Sequence, residues 1–206
     1  MVLLVLQLNA SDFDEAVKAY HNGGQMKAFS LFFTLAKSGD AKAQYNVAMM
    51  YANGEGVTPD KIEALKWYEK AARAGNGEAQ YNLAALYGKS GKNGDAHAYE
   101  KAKYWYEKAV ESQVKEAYNN LAYFYLYGIG VDKSEVKALA LLEKGAKQND
   151  SKAQLNSAKL YAWGKEVKHN KLKAYEYFKK ALKSGESEAS QHLDTLCKES
   201  AWVCQN

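Results

Sequence analysis

The chain has 206 residues, 47% hydrophobic and 25% charged, with 15 glycines and a single proline, a balance that excludes a disordered, collagen-like or proline-rich chain. Its formal charge is only +4 and comes from lysine, with Arg73 the lone arginine, so no nucleic-acid partner is expected. Two cysteines are too few for a disulfide-dense scaffold, and 16 tyrosines with 4 tryptophans are the excess that needs explaining.

Residues 1–10 carry the apolar run Val2-Leu3-Leu4-Val5-Leu6 and end at Ala10. The run is far short of the roughly 20 residues that cross a bilayer, and no lysine or arginine precedes it. Two readings stand. It is a residual signal peptide with a small-residue cleavage site after Ala10, which places the protein in the periplasm or outside a bacterial cell. Alternatively it is an apolar strap under the first helix, which leaves the protein cytoplasmic. No later segment is expected to span a membrane.

From residue 11 onward the chain repeats itself. Ala43-Gln44-Tyr45-Asn46 returns as Ala79-Gln80-Tyr81-Asn82, Ala117-Tyr118-Asn119-Asn120 and Ala153-Gln154-Leu155-Asn156, with a degraded copy at Ala189-Ser190-Gln191-His192. The steps are 36, 38, 36 and 36 residues, and the series Ala28, Ala64, Ala102, Ala138, Ala174 shows the same steps, so a two-residue insertion lies within Gly88–Ala98. The pattern predicts an opening helix pair over 12–39, repeats over about 40–75, 76–113, 114–149 and 150–185, and a capping helix with tail over 186–206.

Each repeat predicts two helices. Ala43, Val47, Ala48 and Tyr51 make one helical stripe, repeated by Ala79, Leu83, Ala84, Tyr87 and by Ala117, Leu121, Ala122, Tyr125. The second helix has a wider apolar face, as in Ala64, Leu65, Trp67, Tyr68, Ala71 and Ala72. Alanines at fixed places let helices approach closely while aromatics fill the layers. Gly54-Glu55-Gly56 and Gly128-Ile129-Gly130 are expected to end first helices, and Asp60 with Glu63, and Asp132 with Glu135, to cap the second helices.

The run Ala-Gln-x-Asn-Leu-Ala-x-x-Tyr, then Gly-x-Gly-Val, then Lys-Ala-x-x-Trp-Tyr-x-Lys-Ala resembles the Sel1-like repeat, a relative of the tetratricopeptide repeat. Alanine at 48, 84, 122 and 158 departs mildly from the glycine common there, and Gly164-Lys165-Glu166-Val167 lacks the second glycine. The resemblance implies an all-α, right-handed superhelical solenoid of helix-turn-helix repeats. It also implies a non-enzymatic scaffold for proteins or peptides, with regulators, host-interaction factors and immunity proteins of secreted bacterial effectors among its members. By analogy with tetratricopeptide solenoids, the columns that vary line a concave face. These are Tyr45, Tyr81, Asn119 and Leu155, and a turn later Met49, Ala85, Tyr123 and Lys159, extended by Tyr127 and Trp163. Tyr45, Met49, Tyr81, Asn119, Tyr123, Tyr127, Lys159 and Trp163 are therefore the expected partner-binding residues of a monomer, unless several of these aromatics only pack against the next repeat. The constant column Asn46, Asn82, Asn120, Asn156 reads as hydrogen bonding between helices, with ligand contact as the alternative.

Other chemistry is weakly signalled. Cys197 and Cys204 would lie about 10.5 Å apart along one continuous helix, beyond the roughly 7 Å a bridge allows. A helix break near Ser200 would let Cys204 fold back into a disulfide; two buried or free thiols are the alternative, and a catalytic cysteine lacks an ordered histidine partner. His21, His97, His169 and His192 have no metal-ligand spacing, so neither metal nor cofactor is expected. Ser112–Lys115 and Ser134–Lys137 match Ser-x-x-Lys, but about two matches arise by chance in such a composition, leaving a β-lactam-binding hydrolase as a weak alternative beside a cytosolic signalling adaptor. Lys61, Lys66, Lys70 and Arg73, interleaved with Glu63 and Glu69, read as a solvated helix face.

Overall fold

The computed structural model describes residues 10–205, which form eleven α-helices and one short 3-10 helix. An opening pair, α1 (Ala10–His21) and α2 (Gln25–Lys37), precedes α3 (Ala41–Asn53) with α4 (Lys61–Arg73) and α5 (Gly77–Lys92) with α6 (Ala96–Glu111). Then come α7 (Lys115–Tyr127) with α8 (Glu135–Lys147), α9 (Ser151–Trp163) with α10 (Lys171–Lys183), and α11 (Glu188–Glu199) with the 3-10 turn Ala201–Val203. The apolar run 2–6, with both readings attached to it, lies outside the described residues; Ala10 opens α1.

The chain falls into two compact units divided between Leu86 and Tyr87. In the N-terminal unit α1 packs on α2, α2 on α3 and α3 on α4; in the C-terminal unit each helix from α6 to α11 packs on the next, and α9 also touches α7 and α11. The alanine columns explain the close packing. Ala43, Ala48, Ala64 and Ala71 in the first unit, and Ala117, Ala122, Ala138, Ala153, Ala158 and Ala174 in the second, are almost wholly buried. Large side chains fill the spaces they leave: Phe32, Trp67 and Tyr68 in one unit, Leu142, Phe178 and Leu196 in the other. Burial, with the neighbouring Tyr45, pushes the Tyr68 phenol up to about 12.

Helix ends follow the repeat. Gly54 and Gly128 take left-handed conformations that close α3 and α7. Each seven-residue loop then returns a backbone N–H to the tyrosine that ends the first-helix stripe: Asp60 to Tyr51 (3.0 Å), Ser134 to Tyr125 (2.8 Å) and Asn170 to Tyr161 (2.9 Å). Those same residues cap the second helices, Asp60 accepting from the Ile62 and Glu63 amides and Ser134 from Lys137. The cap expected at Asp132 is thus displaced to Ser134, because the loop after Gly128 keeps the length of the loop after Gly54.

The insertion within Gly88–Ala98 is not a longer loop. Where other repeats have thirteen-residue helices around seven-residue loops, α5 and α6 each reach sixteen residues around a three-residue turn, which adds the two residues. Gly88 and Gly91 stay helical. Gly91 lies so close to the Tyr99 ring, 2.7 Å from where a Cβ would stand, that a side chain there would have to push the ring aside.

Candidate interaction site

The first helices carry two ladders. Gln44, Gln80 and Gln154 are buried and donate through Nε2 to the carbonyls of Ala36, Ala72 and Ala146, eight residues back, at 3.2, 3.2 and 3.4 Å. Each closes the last turn of the preceding second helix, where carbonyls lack intrahelical partners. Tyr118 occupies the same position in α7 and reaches the Val110 carbonyl at 3.4 Å.

The asparagine column supplies the second ladder. Asn82 Nδ2 donates to Tyr45 Oη at 3.3 Å, Asn156 Nδ2 to Asn119 Oδ1 at 2.8 Å and Asn120 Nδ2 to Tyr106 Oη at 3.2 Å. Asn46 departs, donating to the Lys42 carbonyl of its own helix at 2.9 Å. Tyr45 and Asn119, expected to meet a partner, are therefore engaged by the asparagine one repeat on. The Tyr45 ring also packs on Tyr68, at 6.0 Å between centroids.

The remaining expected site residues differ in their surroundings. In the N-terminal unit Met49 on α3 and Tyr81 on α5 are half-buried. In the C-terminal unit Tyr123 and Tyr127 stand one turn apart on α7 with centroids 4.3 Å apart, and are 45% and 65% exposed. Thirty-six residues on, Lys159 and Trp163 hold the same two positions on α9, against which α7 packs. Lys159 pairs with Glu188 at 2.7 Å, and Glu188 also meets His192 Nε2 at 3.0 Å; these hydrogen bonds hold the Glu188 carboxyl below its usual range. Trp163 is half-buried, packs on Phe178 of α10 (5.8 Å) and His192 of α11 (5.7 Å), and donates its indole N–H to Glu199 at 3.0 Å, so it joins α9 to both helices.

Lys159 and Trp163, with Glu135, Leu160, Gly164, His192 and Thr195, line an open cleft of about 430 Å³. One end is built by an exchange of caps. Glu135 Oε2 accepts the backbone N–H groups of Lys165 (2.6 Å) and Glu166 (2.9 Å), while Glu166 Oε2 accepts the Glu135 N–H at 2.8 Å. Glu166 stands where the other loops have Gly56 and Gly130, so its side chain accounts for the missing second glycine. At Gly56 the glycine is required, since φ is +71° and a Cβ would collide with the Gln25 carbonyl.

Cys197 and Cys204 are joined in a disulfide with Cα atoms 5.8 Å apart. Helix α11 ends at Glu199, and the 3-10 turn brings Val203 into full burial. The core position at this end is taken by Leu196, with Cys197 half-buried beside it. Ser134 Oγ is committed to capping α8, and Ser112 ends α6 in an exposed position. His97 lies 3.8 Å from Glu100 and His169 Nε2 meets the Gly164 carbonyl at 2.6 Å. Among the described residues no group of three or more His, Cys, Asp or Glu side chains could hold a metal ion, and no helix is long and apolar enough to cross a membrane. On α4, Lys66 pairs with Glu63 at 2.7 Å and Lys70 lies 3.8 Å over the Trp67 ring.

The lysine of the repeated Lys-Ala pair makes a ring contact that its position in the sequence did not foretell. Lys101, Lys137 and Lys173, spaced 36 residues apart on second helices, sit over the rings of Tyr87, Tyr125 and Tyr161 at 5.3, 5.6 and 4.9 Å. The regular 36-residue spacing of lysine signals it, since a solvated lysine has no reason to keep register.

An all-α array of helix pairs, with glutamine and asparagine ladders along its first helices, is the construction of a tetratricopeptide-like repeat protein. The Sel1 repeat profile matches residues 41–76, 77–113, 115–150 and 151–186, and the chain belongs to the Sel1 repeat family. It is similar in structure to a Sel1 repeat protein from Oxalobacter formigenes, with a TM-score of 0.80 and 29% identity over 94% of this chain and 80% of that one. It is also similar to a protective antigen of uropathogenic Escherichia coli (TM-score 0.50, 25% identity, 97% of this chain, 59% of that one). An immunity protein from Pseudomonas aeruginosa shares the fold at TM-score 0.53 and 21% identity, over 85% of this chain and 68% of that one. In sequence, 53 residues are 40% identical to an exopolysaccharide production negative regulator of Rhizobium leguminosarum bv. viciae; they are 26% of this chain and only 20% of that protein. Sel1 repeat proteins are in general protein-interaction scaffolds.

Proposed function

We propose that this chain is a non-enzymatic scaffold that holds a protein or peptide against the first helices of its C-terminal unit. Tyr123 and Tyr127 form the contact platform, and the cleft beside Lys159 and Trp163 takes an adjoining side chain. Met49 and Tyr81 serve as contacts in the N-terminal unit, whereas Tyr45 and Asn119 act through the ladder. The observation that carries this reading is the Tyr123–Tyr127 pair, two large rings left exposed at positions where α9 uses its side chains for internal contacts. Tyrosine supplies wide contact area with a hydroxyl for hydrogen bonding, which is why it is favoured at interfaces. Inhibition of a secreted bacterial effector, as an immunity protein works, is the most concrete version, with the protein acting as a monomer in the periplasm or outside the cell.

The test is affinity capture from the native host, followed by titration of the recovered protein against the wild type and a Tyr123→Ala/Tyr127→Ala variant of unchanged helicity. Loss of two central aromatics costs about 2 kcal/mol or more at an interface, so the dissociation constant rises at least ~30-fold. Equal affinity for both rejects the surface.

A further inference from the structure

The C-terminal tail is tied to the wall of the cleft at several points. His192 and Thr195, on α11, form that wall, and Glu188 on the same helix anchors Lys159. The last turn of α11 holds the opposite side, since Glu199 accepts the Trp163 indole N–H at 3.0 Å and lies 3.8 Å from Lys171. Lys171 also donates to Ser200 Oγ at 2.7 Å, where the helix stops. Beyond it the chain turns back, Val203 is 0% exposed, and the Cys197–Cys204 bond closes the turn onto α11. The half-buried disulfide thus fastens the helix that forms one wall of the cleft.

We propose that this disulfide is a redox latch for the cleft. A dithiol reductant supplies two electrons and two protons: the S–S bond breaks, Cys197 and Cys204 each become a thiol, and the reductant leaves as its own disulfide. The freed tail withdraws Val203, the Ser200–Lys171 contact goes with it, and the end of α11 frays. Glu199 then releases Trp163, and the cleft loses one wall. The α7 platform, which the latch does not touch, keeps its order. The consequence for a partner rests on the proposed function above; the opening of α11 does not.

The experiment is amide hydrogen exchange, resolved by peptide, on three forms of the full chain: oxidised wild type, wild type held in dithiothreitol, and a Cys197→Ser/Cys204→Ser variant. Exchange over 188–199 is expected to accelerate at least tenfold in the second and third forms, with α7 and α8 unchanged. Equal exchange over 188–199 in all three overturns the latch, as does acceleration spread equally over α7 and α8, which would make the bond a global staple. Because exchange needs no partner, the latch can fail while the Tyr123/Tyr127 surface stands, and the reverse.

Discussion

Ser157 shows how far one side chain can depart from its column and at what cost. Its counterparts in the other first helices are Val47, Leu83 and Leu121, all buried and apolar, yet Ser157 is 0% exposed and its hydroxyl has no hydrogen-bond partner. An unsatisfied buried hydroxyl is destabilising, so Ser157→Ala is expected to raise the unfolding free energy by about 1 kcal/mol, read from a denaturant titration. A loss of stability would show that the hydroxyl has a partner. Glutamines 44, 80 and 154 fare better on the donor side, since each buried Nε2 finds a carbonyl eight residues back, although the Gln44 Oε1, like the Ser157 hydroxyl, has no partner. Neither ladder partner was legible in the sequence. The spacing showed that glutamine and asparagine repeat, but a partner such as Tyr45 for Asn82, 37 residues away, is set by how the helices stack.

At the scale of elements, the helices were legible because alanine and aromatic columns recur at helical spacing, and the glycine turns because left-handed caps favour glycine. Local signals mislead where they compete. Gly88 and Gly91 look like a loop but remain in α5, because the hairpin with α6 is longer and packs Tyr99 onto Gly91. Asp132 has good capping chemistry but lies two residues before the place the loop geometry assigns to Ser134. The exchange between Glu135 and Glu166 joins residues 31 apart and replaces a glycine column, so it had no sequence signal beyond the missing glycine. The Glu188 carboxyl is held down by its hydrogen bonds to Lys159 and His192. A lowered acid contributes stability that is present above its unfolded value of about 4.5 and lost as the pH falls through the folded value. Melting curves of wild type and Glu188→Gln should therefore differ near pH ~7, converge by pH ~3, and converge also in ~1 M salt, which screens an exposed pair. A difference that survives at pH ~3 would assign the effect to packing of α11 and not to charge.

For the whole molecule, the tyrosine and tryptophan excess divides by register. Trp67, Tyr68, Tyr106 and Tyr161 are buried among the helices, and Tyr87 and Tyr125 lie under lysines, so these rings belong to the fold. Trp163 and Tyr45, expected from the sequence as contact residues, are half-buried and also make ring contacts within the protein, whereas Tyr123 and Tyr127 are exposed. Family and fold were written in the repeats, whereas the division of aromatics between packing and contact depends on what each ring meets after stacking.

The proposed contact places a partner on the α7 face and not on the exposed side of α10. It is tested most directly by photo-crosslinking in the native host, with benzoylphenylalanine placed at Tyr123 in one variant and at the exposed Lys179 of α10 in another. One discrete protein adduct is expected from position 123 and none from 179; adducts from 179 with none from 123 would overturn the α7 contact.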